Sequence, residues 1–287
     1  MVEATQDTPR RISYFPGCSS HGTGVEYEIS ARKVCEALGI ELREIEDWNC
    51  CGATSAHALD PELSLSLGAR NLGLAEELGL DELVTPCAAC FSRLRHAAKH
   101  IEEHGTPIGL PEVTGSAKVL HLLDVLATEE RLEALGRKIF TELKGLRVVP
   151  YYGCLTVRPA DVTGAVDPEN PTSMDRLLER MGVEVRRWPY KTRCCGTSLA
   201  MTRTDVVETL VDGIVAMARR AEAEALVTAC PLCFVNLDTR QSGGDEPMPV
   251  LYFTELMALY MDLDGCRKTL RRHAISPVRL LRSKGIV

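Results

Sequence analysis

Ten of the chain's twelve cysteines fall into one pattern that is written twice. The first copy is Cys18, then Cys50-Cys51-Gly52, then Cys87-Ala-Ala-Cys90. The second is Cys154, then Cys194-Cys195-Gly196, then Cys230-Pro-Leu-Cys233. The gaps are 31 and 35 residues in the first copy and 39 and 34 in the second. Any fold for this chain has to gather five thiols from distant segments, and has to do so twice. Five thiols exceed the four of a closed zinc site. Two copies suggest two metal centres facing each other.

The repeat extends beyond cysteine. Ile12-Ser-Tyr-Phe-Pro-Gly-Cys18 answers Val148-Val-Pro-Tyr-Tyr-Gly-Cys154, and Val84-Thr-Pro-Cys-Ala-Ala-Cys-Phe91 answers Val227-Thr-Ala-Cys-Pro-Leu-Cys-Phe234. Val119-Leu-His-Leu-Leu-Asp-Val-Leu126 answers Val250-Leu-Tyr-Phe-Thr-Glu-Leu-Met257. The three segments recur in order, at an offset of 136 for the first cysteine and 143 for the Cys-x-x-Cys. This predicts two homologous lobes, 11–144 and 145–262, divided near Leu143-Lys144-Gly145, with a basic tail at 263–287.

Each lobe reads the same way. A β-rich run (11–16; 146–152) ends at Gly-Cys. Val25, Ile29, Cys35 and Leu38 have helical spacing and Gly39 closes the helix; Ser173–Met181, closed by Gly182, is its counterpart. A second strand (Ile40–Ile45; Val183–Trp188) leads to the Cys-Cys-Gly turn. A long helix follows (Pro61–Leu78; Asp205–Glu222), then a third strand (Glu82–Thr85; Ala225–Thr228) ending at the Cys-x-x-Cys. In the first lobe another helix, Ala88–His104, starts there. Alternating strand and helix predicts an α/β fold: two lobes, each a small, mostly parallel sheet with flanking helices, related by pseudo-twofold symmetry. In open parallel sheets ligands collect at the carboxyl ends of strands. All three cysteine elements of each lobe follow a predicted strand. The Cys-x-x-Cys also opens a helix, where free N–H groups and the dipole stabilise thiolate charge.

A net charge of −7 argues against general nucleic-acid binding. Met1-Val2-Glu3-Ala4-Thr5-Gln6-Asp7 lacks the apolar segment of a secretory signal, and no run of 18 apolar residues predicts a membrane span. The expected compartment is the cytoplasm, where cysteines serve as metal or redox ligands rather than as a disulfide framework. Iron–sulfur clusters use cysteine thiolates, commonly in Cys-x-x-Cys pairs. Zinc would leave one cysteine of each five idle, and adjacent cysteines cannot easily aim both sulfurs at one small ion. Ligand count and spacing therefore favour iron–sulfur chemistry, with zinc or metal-free redox thiols as alternatives.

The twice-written pattern resembles the cysteine-rich CCG domain, and two tandem copies resemble the B-type subunit of heterodisulfide reductase and its bacterial relatives. The resemblance runs from Tyr14 to about Met257. It implies two non-cubane 4Fe-4S clusters facing each other across a cleft. Cys18, Cys50, Cys51, Cys87 and Cys90 would hold one; Cys154, Cys194, Cys195, Cys230 and Cys233 would hold the other. It also implies reduction of a small disulfide, or oxidation of two thiols, inside a complex with ferredoxin-like and flavin-containing partner subunits. Two departures stand out. The second copy's gap of 34 is about one residue short of the family's usual length, and Cys50-Cys-Gly-Ala-Thr-Ser55 resembles the bacterial branch rather than the archaeal one. CCG domains also accompany succinate and fumarate enzymes, so the alternative function is a non-catalytic electron-transfer or membrane-anchoring module linked to quinone.

Other candidates flank the cysteines. His21 and His57 could handle protons or substrate, since histidine titrates in a useful range; each also reads as a surface or capping residue. Lys191 and Arg193, before the second cysteine pair, could attract an anionic substrate or simply form a solvated turn. Cys35 reads as a core residue, and His96, Lys99, His100 and His104 as a solvated helix face. The tail's Arg267, Lys268, Arg271, Arg272, Arg279 and Arg282 could dock an acidic partner or remain solvated. No G-x-G-x-x-G nucleotide fingerprint is present, so electrons must come from elsewhere, which the family resemblance places in the partner subunits.

Overall fold

The computed structural model describes residues 9–53, 55–243 and 246–287; the polar stretch Met1–Asp7 lies outside them. The first lobe runs β1 (Arg10–Tyr14), α1 (Val25–Ala37), β2 (Ile40–Glu44), α2 (Ser55–Leu59), α3 (Pro61–Glu77), β3 (Glu82–Thr85), α4 (Ala88–His104), β4 (Lys118–His121), α5 (Leu122–Leu126) and α6 (Glu129–Gly136). The second runs β5 (Arg147–Tyr151), α7 (Ala160–Thr163), α8 (Ser173–Arg180), β6 (Glu184–Val185), α9 (Thr204–Arg220), β7 (Ala225–Thr228), α10 (Pro231–Thr239), β8 (Val250–Tyr252) and α11 (Phe253–Tyr260). Two short helices follow, α12 (Cys266–Thr269) and α13 (Val278–Ser283).

Each lobe is a four-stranded, all-parallel sheet, in the orders β2-β1-β3-β4 and β6-β5-β7-β8. The fold class is the α/β arrangement that the sequence predicts. The fourth strands, β4 and β8, coincide with the third repeated segment, whose pattern alone does not separate strand from helix. The central strands β1, β3, β5 and β7 are buried along most of their length, as parallel sheets covered on both faces require.

One sequence expectation changes length. The strand expected at Val183–Trp188 contains only Glu184–Val185. The carbonyls of Leu146 and Val148 accept from Glu184 and Arg186, so Pro150, two residues further, presents its ring where the ladder needs an N–H. The Pro150 carbonyl instead accepts from the indole of Trp188 at 2.9 Å. The corresponding residue of the first lobe is Tyr14, whose carbonyl accepts from Ile45, and there β2 pairs over five residues.

The lobes meet through reciprocal contacts: α1 packs on α11, and α8 packs on α5. This is the exchange that a pseudo-twofold axis produces. On the α1 side, Tyr27 stacks on Tyr252 at 4.2 Å and donates to the Ala229 carbonyl at 3.1 Å, while Ser30 and Thr254 hydroxyls lie 2.7 Å apart. Removing the Tyr27 hydroxyl leaves a buried carbonyl without its partner. The expected cost of Tyr27→Phe is about 1–2 kcal/mol, read as a lowered denaturation midpoint.

The tail folds back on the second lobe. His273 is 6% exposed; its Nδ1 lies 3.0 Å from the Val250 carbonyl and its Nε2 lies 2.9 Å from Glu255. Asp238 accepts from the Ala274 and Ile275 N–H groups, and Arg272 lies 3.4 Å from Glu26. Burial pushes the His273 pKa down, but the Glu255 carboxylate, helped by Asp238 and Glu26, carries it above its ordinary 6.5. A raised histidine pKa stabilises the fold fully below the unfolded value and loses that contribution as pH rises through the folded one. Tail docking should therefore weaken as pH climbs from about 6.5 upward, read as faster amide exchange over 266–287 at alkaline pH, after correction for the intrinsic rate.

Candidate functional site

The parallel sheets deliver the cysteines to strand ends. In the first lobe, β1 leads through Gly17 into a 3₁₀ turn at Cys18–His21, β2 leads to Cys50-Cys51, and β3 leads to Cys87. Cys87 is the residue before the first turn of α4, and Cys90 lies within that turn. The second lobe repeats this with Cys154 after β5, Cys194-Cys195 after β6, and Cys230 and Cys233 at the start of α10. All twelve cysteines are free. Burial pushes Cys35 up to about 12, which fits an inert core thiol.

One glycine in each lobe makes the gathering possible. Gly17 has φ +71°, and a Cβ on it would stand 2.9 Å from Cys90 Sγ; Gly153 has φ +72°, and its Cβ would stand 3.1 Å from Cys233 Sγ. Each glycine lets the last sulfur of the set press against the backbone leading to the first.

Each set contains thiols whose surroundings favour the thiolate. Cys50 is pulled well down by Cys18, then by Cys51, with the Gly52 N–H contributing. Cys194 is pulled down to about 6 by Cys154, with the Gly196 N–H, 3.3 Å from its sulfur, and the Arg193 charge contributing. Cys195 is lowered by Cys233, whose Sγ lies 3.4 Å from its own, and by the Thr197 hydroxyl at 3.0 Å. Buried Asn236 supports this turn by donating to the Cys195 carbonyl at 3.1 Å and to Thr197 at 3.2 Å. Thr197 and Asn236 belong to the site although no sequence motif points to them. Each follows a motif cysteine by two or three residues, the one signal by which the sequence could reveal them.

The two sets act on each other across the lobe boundary. Cys230 is held low by Cys233, then by Cys87 of the other lobe, with the Ala88 N–H adding to this. A cleft at this seam is lined by all five sulfurs of the second set, by Leu155 and Leu232, and by Ala53, Ala88 and Ala89 of the first lobe.

The donor chemistry tests which group fits. Among the described residues, no three His, Cys, Asp or Glu side chains form a single-ion site. The first set is instead a succession of neighbouring sulfurs, Cys18 to Cys50 to Cys51 to Cys90 to Cys87. An extended, all-thiol donor set fits a multi-iron cluster better than one cation, and the second set's five sulfurs also open onto the cleft.

The other candidates occupy different places. His21 is exposed, stacks on Trp48 at 5.6 Å, and has Nε2 3.8 Å from Glu44. His57 is exposed, and its Nδ1 accepts from Arg93 at 2.8 Å. Lys191 is buried, with Nζ 2.7 Å from Asp175 and 2.9 Å from the Pro171 carbonyl. Its own carbonyl accepts from Tyr152 and Gly153, so Lys191 braces the Cys154 loop and its ammonium is committed there rather than offered to a substrate. Arg193 is exposed over the Tyr190 ring at 5.5 Å.

A two-lobed parallel α/β protein with a five-cysteine set in each lobe defines the class. The chain belongs to the CCG cysteine-rich domain family, whose model matches residues 12–95 and 148–238. It is 31% identical to the 8-methylmenaquinol:fumarate reductase membrane anchor subunit of Wolinella succinogenes, over 94% of this chain and 99% of that one. It is 29% identical to a heterodisulfide reductase B-subunit-like protein of Archaeoglobus profundus, over 88% of this chain and 91% of that one. Among solved structures, a hypothetical protein from Helicobacter pylori superposes with a TM-score of 0.72 at 12% identity. That match covers 93% of this chain and 52% of the other, so the chain spans about half of that protein's length and shares its fold. No helix among the described residues is long and apolar enough to cross a membrane.

Proposed function

We propose that this chain is the iron–sulfur component of a multi-subunit oxidoreductase, with one non-cubane 4Fe-4S cluster held by each five-cysteine set. The observation that carries this reading is the cleft at the lobe boundary, where all five sulfurs of the second set face Ala88 and Ala89, the two residues between Cys87 and Cys90 of the first. Paired clusters would supply two one-electron centres to one two-electron bond, and a small disulfide or dithiol is the substrate class this matches. The protein's own part is to position and to shield. The α4 and α10 N-termini aim N–H groups at the seam and favour the thiolate charge that a broken disulfide develops. Ala88, Ala89, Leu155 and Leu232 keep the walls apolar, which strengthens those interactions. Electrons would come from ferredoxin-like and flavin-containing partners.

A second reading is favoured by the nearly full-length similarity to a component of a quinol:fumarate reductase. Here the same centres would pass electrons between a quinol and a partner enzyme. One experiment separates the two. Anaerobically purified protein is assayed for iron and sulfide, reduced, and mixed with a small disulfide or with a quinone analogue. Disulfide chemistry predicts reoxidation and a changed cluster spectrum with the disulfide alone; response to the quinone alone selects the second reading. A colourless protein with zinc and no iron would remove both.

A further inference from the structure

Arg93 follows Cys90 by three residues on α4, a single helical turn away. Its counterpart in the second lobe is Asn236, three residues after Cys233, which is buried and braces the Cys195 turn. Arg93 does not repeat that role, and its lobe has Ala53 where the second has Thr197. The guanidinium turns outward instead. Nη1 donates to His57 Nδ1 at 2.8 Å, and Nη2 lies 3.5 Å from His96 Nδ1. The side chain is half-buried, no carboxylate pairs with it among the described residues, and the opposite charge that acts on it is the Cys51 thiolate. A cation withdrawn from water with so little compensation is unfavourable.

The surroundings are those of a small-molecule site. His57, Arg93, His96 and His100 face an open cleft of about 450 Å³ that Pro159 and Val162 of the second lobe border. Lys99 and Asp161, 2.5 Å apart, tie the lobes together at its edge and neutralise each other. Glu103 also lines the cavity, and its carboxylate lies 4.0 Å from His104. The His57 pKa is lowered by burial and then by the neighbouring Arg93 charge. Because His57 Nδ1 accepts from Arg93, the neutral ring carries its proton on Nε2 and has a donor to spare.

We infer that Arg93 and His57 form a binding site for a small-molecule oxyanion, a carboxylate, sulfonate or phosphate, at the lobe seam one turn from Cys90; His96, whose Nδ1–H donates to the Ser92 carbonyl at 2.7 Å, borders it. The anion receives charge-assisted N–H bonds from the guanidinium and the His57 Nε2–H, and supplies a further counter-charge. The site's donors lie outside the sulfur sets, although the Cys51 sulfur also acts on the guanidinium.

The test is calorimetric titration of the full purified chain with acetate, sulfate or inorganic phosphate, each against chloride at constant ionic strength. Saturable binding of at least one is expected in the millimolar range, weakened about tenfold or more by Arg93→Gln. His57→Gln, on an exposed side chain, should weaken it in the same direction, and His104→Gln, outside the cavity, should leave it unchanged. The probe bound most tightly identifies the anion. No saturable binding of any of the three, or binding undiminished in both Arg93→Gln and His57→Gln, overturns the inference. Iron measured on the same samples separates loss of the anion site from loss of the metal.

Discussion

Cys194→Ala is expected to remove about half of the bound iron and to reduce turnover to background, because two similar sites share one two-electron reaction. Cys194 is exposed, so its loss should leave the lobes folded. What it removes is a thiol held down to about 6 by Cys154, the Gly196 N–H and Arg193. Cys154 would then lack the neighbour that ties it to the set. Cys50→Ala should act the same way on the first lobe, since Cys50 stands in the same relation to Cys18 and Gly52. The measurements are iron per chain, circular dichroism, and turnover with a disulfide or a quinone analogue. Full iron with undiminished turnover in either variant would sink the paired-cluster reading. Retained turnover with half the iron would instead assign the reaction to one lobe.

The repeat makes most of the fold legible, because the same order of Gly-Cys, Cys-Cys-Gly and Cys-x-x-Cys in both halves has one economical explanation in strand-end geometry. The helices at Val25–Ala37, Pro61–Glu77 and Ala88–His104 have enough turns for periodicity to show. β4 and β8 are harder to see. They have four and three residues, run directly into helices α5 and α11, and offer no alternating window. The sequence overextends β6 because Pro150 acts on its neighbour and not on its own strand, an effect that needs the pairing to be known. The same holds for the side chains. Lys191 looks available from its position beside the cysteine pair, yet Asp175 and the Pro171 carbonyl, 16 and 20 residues away, claim its ammonium. Arg93 reads as one charge on a helix, because its partner His57 lies 36 residues away. Local pattern locates the sulfurs; long-range contacts decide which charges remain free.

Gly17→Ala is expected to empty the first lobe's site while leaving the second intact. Two effects add at this position. With φ +71° and ψ 165°, Gly17 lies in a region that is essentially glycine-only, which costs an L-residue about 1–3 kcal/mol. The new Cβ would also stand 2.9 Å from Cys90 Sγ, closer than such atoms approach, so the sulfur must move out of its set. Gly145 separates the two effects, because its φ is +75° but a Cβ there meets nothing within 4 Å. Gly145→Ala should therefore lower stability through the backbone alone and keep all of its iron. Gly17→Ala should lose about half the iron, and Gly153→Ala, 3.1 Å from Cys233 Sγ, should lose the other half. Iron per chain and the denaturation midpoint of the three variants decide the matter. Equal iron in Gly17→Ala and Gly145→Ala would mean that the close glycine–sulfur approach serves the backbone turn and not the sulfur set.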